Sequence, residues 1–174
     1  MAIGMQFPIE VMTCPPKQST SDRTVEEAIS VGDSGKWWTG LVLDTDPDSG
    51  ERRIRLERWV RNGHSHNNPH TWRVRPDYWA EEMAAITSLK QDGGHSPPGD
   101  LPIDERYSVS EYLPIRRDDT RRVVAVRLDR PFKSDTLRLY HFDPTTQRVR
   151  QKWSVGRDWE RISKLATRHV RQTV

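Results

Sequence analysis

The sequence predicts an α+β protein of two tandem repeats, each an antiparallel β-sheet with an α-helix at its C-terminal end. Three observations carry that prediction. The first is an echo: TWRVRPDYWAEEMAAI at Thr71–Ile86 is answered by KWSVGRDWERISKLA at Lys152–Ala166, about eighty residues on, an interval that marks an internal repeat. The second is the alternation of apolar and polar residues in Arg52–Arg61 and Leu137–Phe142, the period of a strand with one buried face. The third is QDGGHSPPGDLPID at Gln91–Asp104, rich in Gly and Pro and without a basic residue, which reads as a linker. The expected division is a tail over 1–33, a first repeat over 34–90, the linker over 91–104 and a second, basic repeat over 105–174.

Taken in order, residues 1–33 mix Pro, Ser and Thr with a short acidic piece, Thr24–Ser30, that suits one helical turn, and the whole stretch reads as a tail or an added edge segment. Lys36–Leu43 is apolar and β-branched and reads as a strand, closed by the turn DTDPDSG. If Ile54 and Leu56 face the core, then Arg53, Arg55, Glu57, Trp59 and Arg61 face the other way. The loop NGHSHNNPH follows. Trp72 and Val74 then share one strand face, Pro76 suits the first helical position, and Trp79, Met83 and Ile86 fall at helical spacing.

Beyond the linker, Tyr107–Ile115 is an added leading segment, Val123–Leu128 a strand and RPFKSD a turn. Leu137 and Leu139 point inward from the next strand, leaving Arg138, Tyr140 and Phe142 outward. Gln147–Val155 places Val149, Trp153 and Val155 on one face and Arg148, Arg150 and Lys152 on the other, provided no bulge interrupts it. Gly156 suits an N-cap, and Trp159, Ile162 and Leu165 or Ala166 form the closing helical stripe. Trp72, Trp79, Trp153 and Trp159 therefore belong to the core.

With 33% hydrophobic residues in 174, each repeat alone is marginal, so the two are expected to share buried surface. No run approaches the roughly 18 apolar residues of a membrane span, and MAIGMQFPIEV lacks the basic region and apolar core of a signal peptide. The expectation is a soluble intracellular protein of the cytoplasm or nucleoid, or of the nucleus in a eukaryote. Cys14 is the sole cysteine, which excludes an internal disulfide and suits a reducing compartment.

The net charge of +3 hides an asymmetry, because residues 105–174 carry 17 basic and 9 acidic side chains. Of the 28 basic residues 22 are arginine, the side chain that forks onto phosphate and stacks on flat rings. Both repeats thus offer an apolar face and an opposed face of cations and rings. A solvated sheet face carries such residues without any ligand. Their recurrence in both repeats favours a ligand: rings stack unpaired bases while arginines neutralise the backbone, which points to single strands.

A strand, a polar turn, a strand of the form Ile-x-Leu ending in aromatics, an open loop, then a strand running through Pro-x-x-Trp into a helix: this order resembles the transcriptional coactivator positive cofactor four family of single-strand binders. The likeness covers roughly Gly35–Lys90 and again Val123–Val170, and is most specific in WRVRPDYW at 72–79. The resemblance implies a curved antiparallel sheet backed by a helix in each repeat, and a family dimer fused into one chain as an intramolecular pseudo-dimer. Trp59 resembles the family's stacking aromatic, Phe132 and Lys133 its aromatic-basic turn, and Tyr140 or Phe142 the strand aromatic of the second copy. The turn DTDPDSG is acidic and the family's Lys- and Gly-rich loop is replaced by HSHNNPH, which leaves the second repeat as the stronger candidate. Whirly and Pur proteins are near alternatives.

The expected nucleic-acid interface is Arg53, Arg55, Trp59, Arg61 and Arg73 in the first repeat, with Phe132, Lys133, Arg138, Tyr140, Phe142, Arg148, Arg150 and Lys152 in the second. The expected ligand is single-stranded DNA, with RNA second, bound by a monomeric pseudo-dimer or a homodimer, with no membrane role and with transcription or replication proteins as further partners. No catalytic motif, cofactor or metal site is assigned. His64, His66 and His70 have a metal-like spacing, but they sit in a polar loop with no cysteine or acidic residue to complete a site. The competing class is a protein-docking module anchored by Trp37, Trp38 and Trp59.

Overall fold

A computed structural model describes residues 23–33, 37–60, 70–91, 101–103, 107–130 and 135–173. In chain order the elements are β1 (Thr24–Asp33), β2 (Trp37–Thr45), β3 (Arg52–Val60), β4 (His70–Val74), α1 (Trp79–Lys90), β5 (Ser108–Arg117), β6 (Arg122–Asp129), β7 (Thr136–Phe142), β8 (Val149–Val155) and α2 (Trp159–Gln172). The protein is α+β, with two four-stranded antiparallel sheets, β1-β2-β3-β4 and β5-β6-β7-β8, and two helices. Two compact units result: the described residues of Met1–Pro76 with Asp158–Val174, and those of Asp77–Arg157.

In the first unit the rows Leu41–Leu56–Trp72 and Leu43–Ile54–Val74 run across β2, β3 and β4 on one face. Leu41, Leu56, Ile54, Trp72 and Val74 are all buried there. This face carries α2, which packs on β2 and β3. Trp159, Ile162, Ser163 and Ala166 form the buried side of α2, so Ala166 and not Leu165 completes the stripe. Asp158, not Gly156, stands at its N-cap position. On the opposite face Ala28, Trp38, Val42 and Trp59 make a second buried cluster. Gly40 permits it: a Cβ there would lie 2.5 Å from the Trp38 ring and overlap the Ile29 carbonyl, the close approach a strand glycine commonly marks.

In the second unit Ala125, Leu139 and Trp153 form a buried row across β6, β7 and β8. Arg127 shares that face and donates to the Leu89 carbonyl of α1, which packs on β5, β6 and β7. The buried side of α1 is Trp79, Glu82, Ala85, Ile86 and Leu89, while Met83 is half-buried. Pro76 lies in the turn before the helix, not at its first position. The other face of this sheet buries Val124, Val126, Leu128, Tyr140 and Phe142, and Leu101, Ile103, Tyr107, Val109 and Tyr112 pack on them.

Several expectations are corrected. Each sheet was expected to be backed by the helix that follows it; instead α1 belongs to the second unit and α2 to the first. Thr24–Ser30 forms no helical turn but lies within β1, an edge strand of the first sheet, in line with the reading of an added edge segment. The strand β8 is bulged, pairing Phe142 with Val149 but His141 with Gln151, which moves Val149 off the Trp153 face. Leu101 and Ile103, at the end of the expected linker, cover a sheet face. Among the described residues no helix is long and apolar enough to cross a membrane.

Candidate nucleic-acid interface

The first sheet ties Arg23, Arg53, Arg55 and Arg73 to carboxylates of its own. Asp44 is 1% exposed on the face opposite α2, and Arg53 Nε donates to its Oδ1 at 2.7 Å while Arg53 Nη1 reaches Asp46 Oδ2 at 2.9 Å. Arg55 Nε stands 2.9 Å from Asp44 Oδ2 but is not aligned for a hydrogen bond, so charge attraction holds it. Arg23 bridges Asp44, at 3.4 Å, and Glu57. Trp59 Nε1 donates to Glu57 Oε2 at 2.8 Å, which satisfies the indole in the core. Burial alone would lower the Arg23 guanidinium, but Glu57 and then Asp44 more than offset it and its pKa is raised. Arg55 goes the other way: burial lowers it, and the attraction of Asp44 is opposed by Arg53 and Arg23. Arg73 pairs with Glu51. Arg61 lies outside the described residues.

In the second unit the expected stacking rings are internal. Tyr140 is 3% and Phe142 1% exposed, stacked on each other at 5.4 Å with planes 8° apart. The cause is their cover: the apolar side chains of Leu101, Ile103 and Tyr107 occupy the face that strand alternation leaves open. Arg138 is drawn in with them, donating to Ser154 Oγ and Tyr140 Oη at 3.0 Å each. Its guanidinium also lies 5.7 Å from the Tyr107 ring centre, a cation–π distance. The expectation that Trp59, Tyr140 and Phe142 present bare rings is thus overturned by their burial. Phe132 and Lys133 lie outside the described residues.

Arg148, Arg150 and Lys152 remain exposed, along the edge strand β8 and its approach. The register shift between Val149 and Gln151 breaks the period of two there, so the three are exposed cations within five residues and not a regular row on one strand face. Arg150 makes one exposed ion pair, 2.6 Å to Asp143 Oδ2. The Asp143 carboxyl is held well below the ordinary carboxylate range, first by the Thr146 backbone N–H and then by Arg150. It is therefore a fixed negative charge at neutral pH, and the three cations carry a net excess of two positive charges over it. The turn from Asp143 to Arg148 leads into β8, with Gln147 at φ 61° where Gly50 takes φ 69° in the analogous turn before β3.

Sequence reasoning missed a second set of cations. Arg161, Lys164, Arg168 and Arg171 are exposed on α2, opposite its buried side. Their spacing of three and four residues was the available signal. Among the described residues no group of His, Cys, Asp and Glu side chains could hold a metal ion; His64 and His66 lie outside them. The chain matches no protein-family model and no curated protein.

Proposed function

We propose that the protein binds nucleic acid through the sugar–phosphate backbone, with single-stranded DNA as the ligand and RNA second. The observation that carries this reading is the cluster of exposed cations Arg148, Arg150 and Lys152 along edge strand β8 and the turn before it, where among the described residues the one ion pair is Arg150 to Asp143. Arginine and lysine placed this way neutralise phosphates and release counterions, a contact that is strong and blind to sequence. The protein-docking alternative loses two of its three anchors, because Trp38 is 1% and Trp59 6% exposed, while Trp37 is half-buried. Among the described residues Val149 is the sole exposed large hydrophobic side chain, which is little for a partner to grip.

We further infer that the two sheets are tandem repeats of the kind found in the positive cofactor four family, related as an intramolecular pseudo-dimer. Support comes from the strand irregularities: β1 shifts register between Val25 and Glu27 and between Ser30 and Gly32, and β5 shifts at the same intervals, between Val109 and Glu111 and between Pro114 and Arg116. Helix exchange between the two sheets also fits a fused dimer.

A gel shift at low salt tests the binding site. The variant Arg148→Gln, Arg150→Gln, Lys152→Gln is expected to lose about tenfold or more in affinity for an oligothymidylate. Tyr140→Phe, which removes a hydroxyl from Arg138 inside the core, is expected to bind as the parent protein does. Equal affinity in the triple variant would remove β8 from the interface. Phosphate contacts carry no strand preference, so competition by duplex DNA and by RNA decides the ligand: duplex competing as well as single strand would overturn the single-strand assignment.

A further inference from the structure

The outer face of α2 is a line of four cations of which one, Lys164, is paired with a carboxylate. Arg161, Lys164, Arg168 and Arg171 fall within one side of the helix, since steps of three and four residues return nearly to the same direction. They span about 15 Å along the axis at the rise of an α-helix. The sole carboxylate of the helix is Glu160, 2.8 Å from Lys164. Among the described residues no carboxylate pairs with Arg161, Arg168 or Arg171. A merely solvated helix face usually mixes signs and closes i, i+4 pairs. The contrast within the unit is sharp: Arg23, Arg53 and Arg55 are tied to Asp44 and Glu57, and Arg73 to Glu51.

We propose that this face of α2 is a second phosphate-binding surface for nucleic acid, engaged independently of β8. The occupant is argued from charge. Three arginines suit phosphate oxygens, to which guanidinium donates in a fork. An anionic membrane is the poorer fit, because a helix that lies in a lipid surface must bury its apolar side there, and α2 already buries that side on β2 and β3. The inference rests on the reading that the ligand is nucleic acid, but not on the site assigned to β8.

Fluorescence anisotropy with labelled oligothymidylate over a salt series tests it in the full chain. Arg161→Gln, Arg168→Gln, Arg171→Gln is expected to reduce the magnitude of the slope of log affinity against log salt by about 2, from three lost phosphate contacts on a single strand. Gln matches Arg in helix propensity, so the thermal midpoint should hold. If it does not, Arg168→Gln alone reads the same effect as a change of about 0.7. The all-lysine version of the triple keeps the charge and should keep the slope. A matched control, Arg52→Gln, Lys90→Gln, Arg117→Gln, removes three exposed cations elsewhere and should leave it unchanged. An unaltered slope in the helix triple, or an equal drop in the control, overturns the proposal. So does binding to phosphatidylserine vesicles that the helix triple abolishes. If the parent protein binds no oligonucleotide at all, the functional reading fails; if it binds and only the β8 variant matters, the helix proposal alone fails.

Discussion

Asp44 shows what a single residue decides in this protein. Its carboxylate lies on the face of the first sheet that alternation assigns to solvent, and it holds Arg53 at 2.7 Å and Arg55 at 2.9 Å. A buried carboxylate with several guanidinium partners is costly to neutralise, because the cations left behind keep their desolvation without their attraction. Asp44→Asn is therefore expected to lower the unfolding free energy by about 3 kcal/mol in urea titration. An unchanged midpoint would show that the network contributes nothing. The same residue marks a limit of sequence reading. Alternation correctly put Ile54 and Leu56 inside and Arg53, Arg55 and Trp59 together on the other face. Period two says which residues share a face; it does not say what covers that face, and Asp44 looked like the first residue of a turn.

At the scale of elements, both helices and six of the eight strands were legible, β1 and β5 were not read as strands, and the pairing of helix with sheet was not legible. Trp72-x-Val74 and Trp153-x-Val155 are strand rows, and Trp79 and Trp159 open helices. An amphipathic stripe fixes that a helix buries one side, but any apolar sheet face can receive it, so the exchange of α1 and α2 left no local trace. The cover over Tyr140 and Phe142 was hidden for a similar reason: Leu101 and Ile103 are isolated apolar residues in a stretch dominated by Gly and Pro. The exchange makes a sharp prediction. Removing residues 158–174 should raise hydrogen exchange in β2 and β3, where Leu41 and Leu56 lose their helix, while amides of β6 and β7 stay protected. Loss of protection in β6 and β7 instead would mean that α2 backs the second sheet.

Over the whole molecule the argument turns on where positive charge is spent. Composition showed a basic second half, and that asymmetry does not coincide with the folded units, since α2 carries its cations into the first one. Arg53 and Arg55 of the first sheet are neutralised from within by Asp44, and Trp59, Tyr140 and Phe142, which suggested base stacking, are core residues. Exposed cations are gathered locally, at Arg148, Arg150 and Lys152 and along α2, and among the described residues Val149 is the sole exposed large hydrophobic side chain, which favours a polyanion held at those places by charge. The most direct measurement is the affinity of the unmodified chain for a labelled oligothymidylate across a salt series. Log affinity is predicted to fall linearly with log salt, with a slope of at least about 2 in magnitude from the three β8 cations alone. Affinity indifferent to salt, or no binding at the lowest salt, would contradict the account.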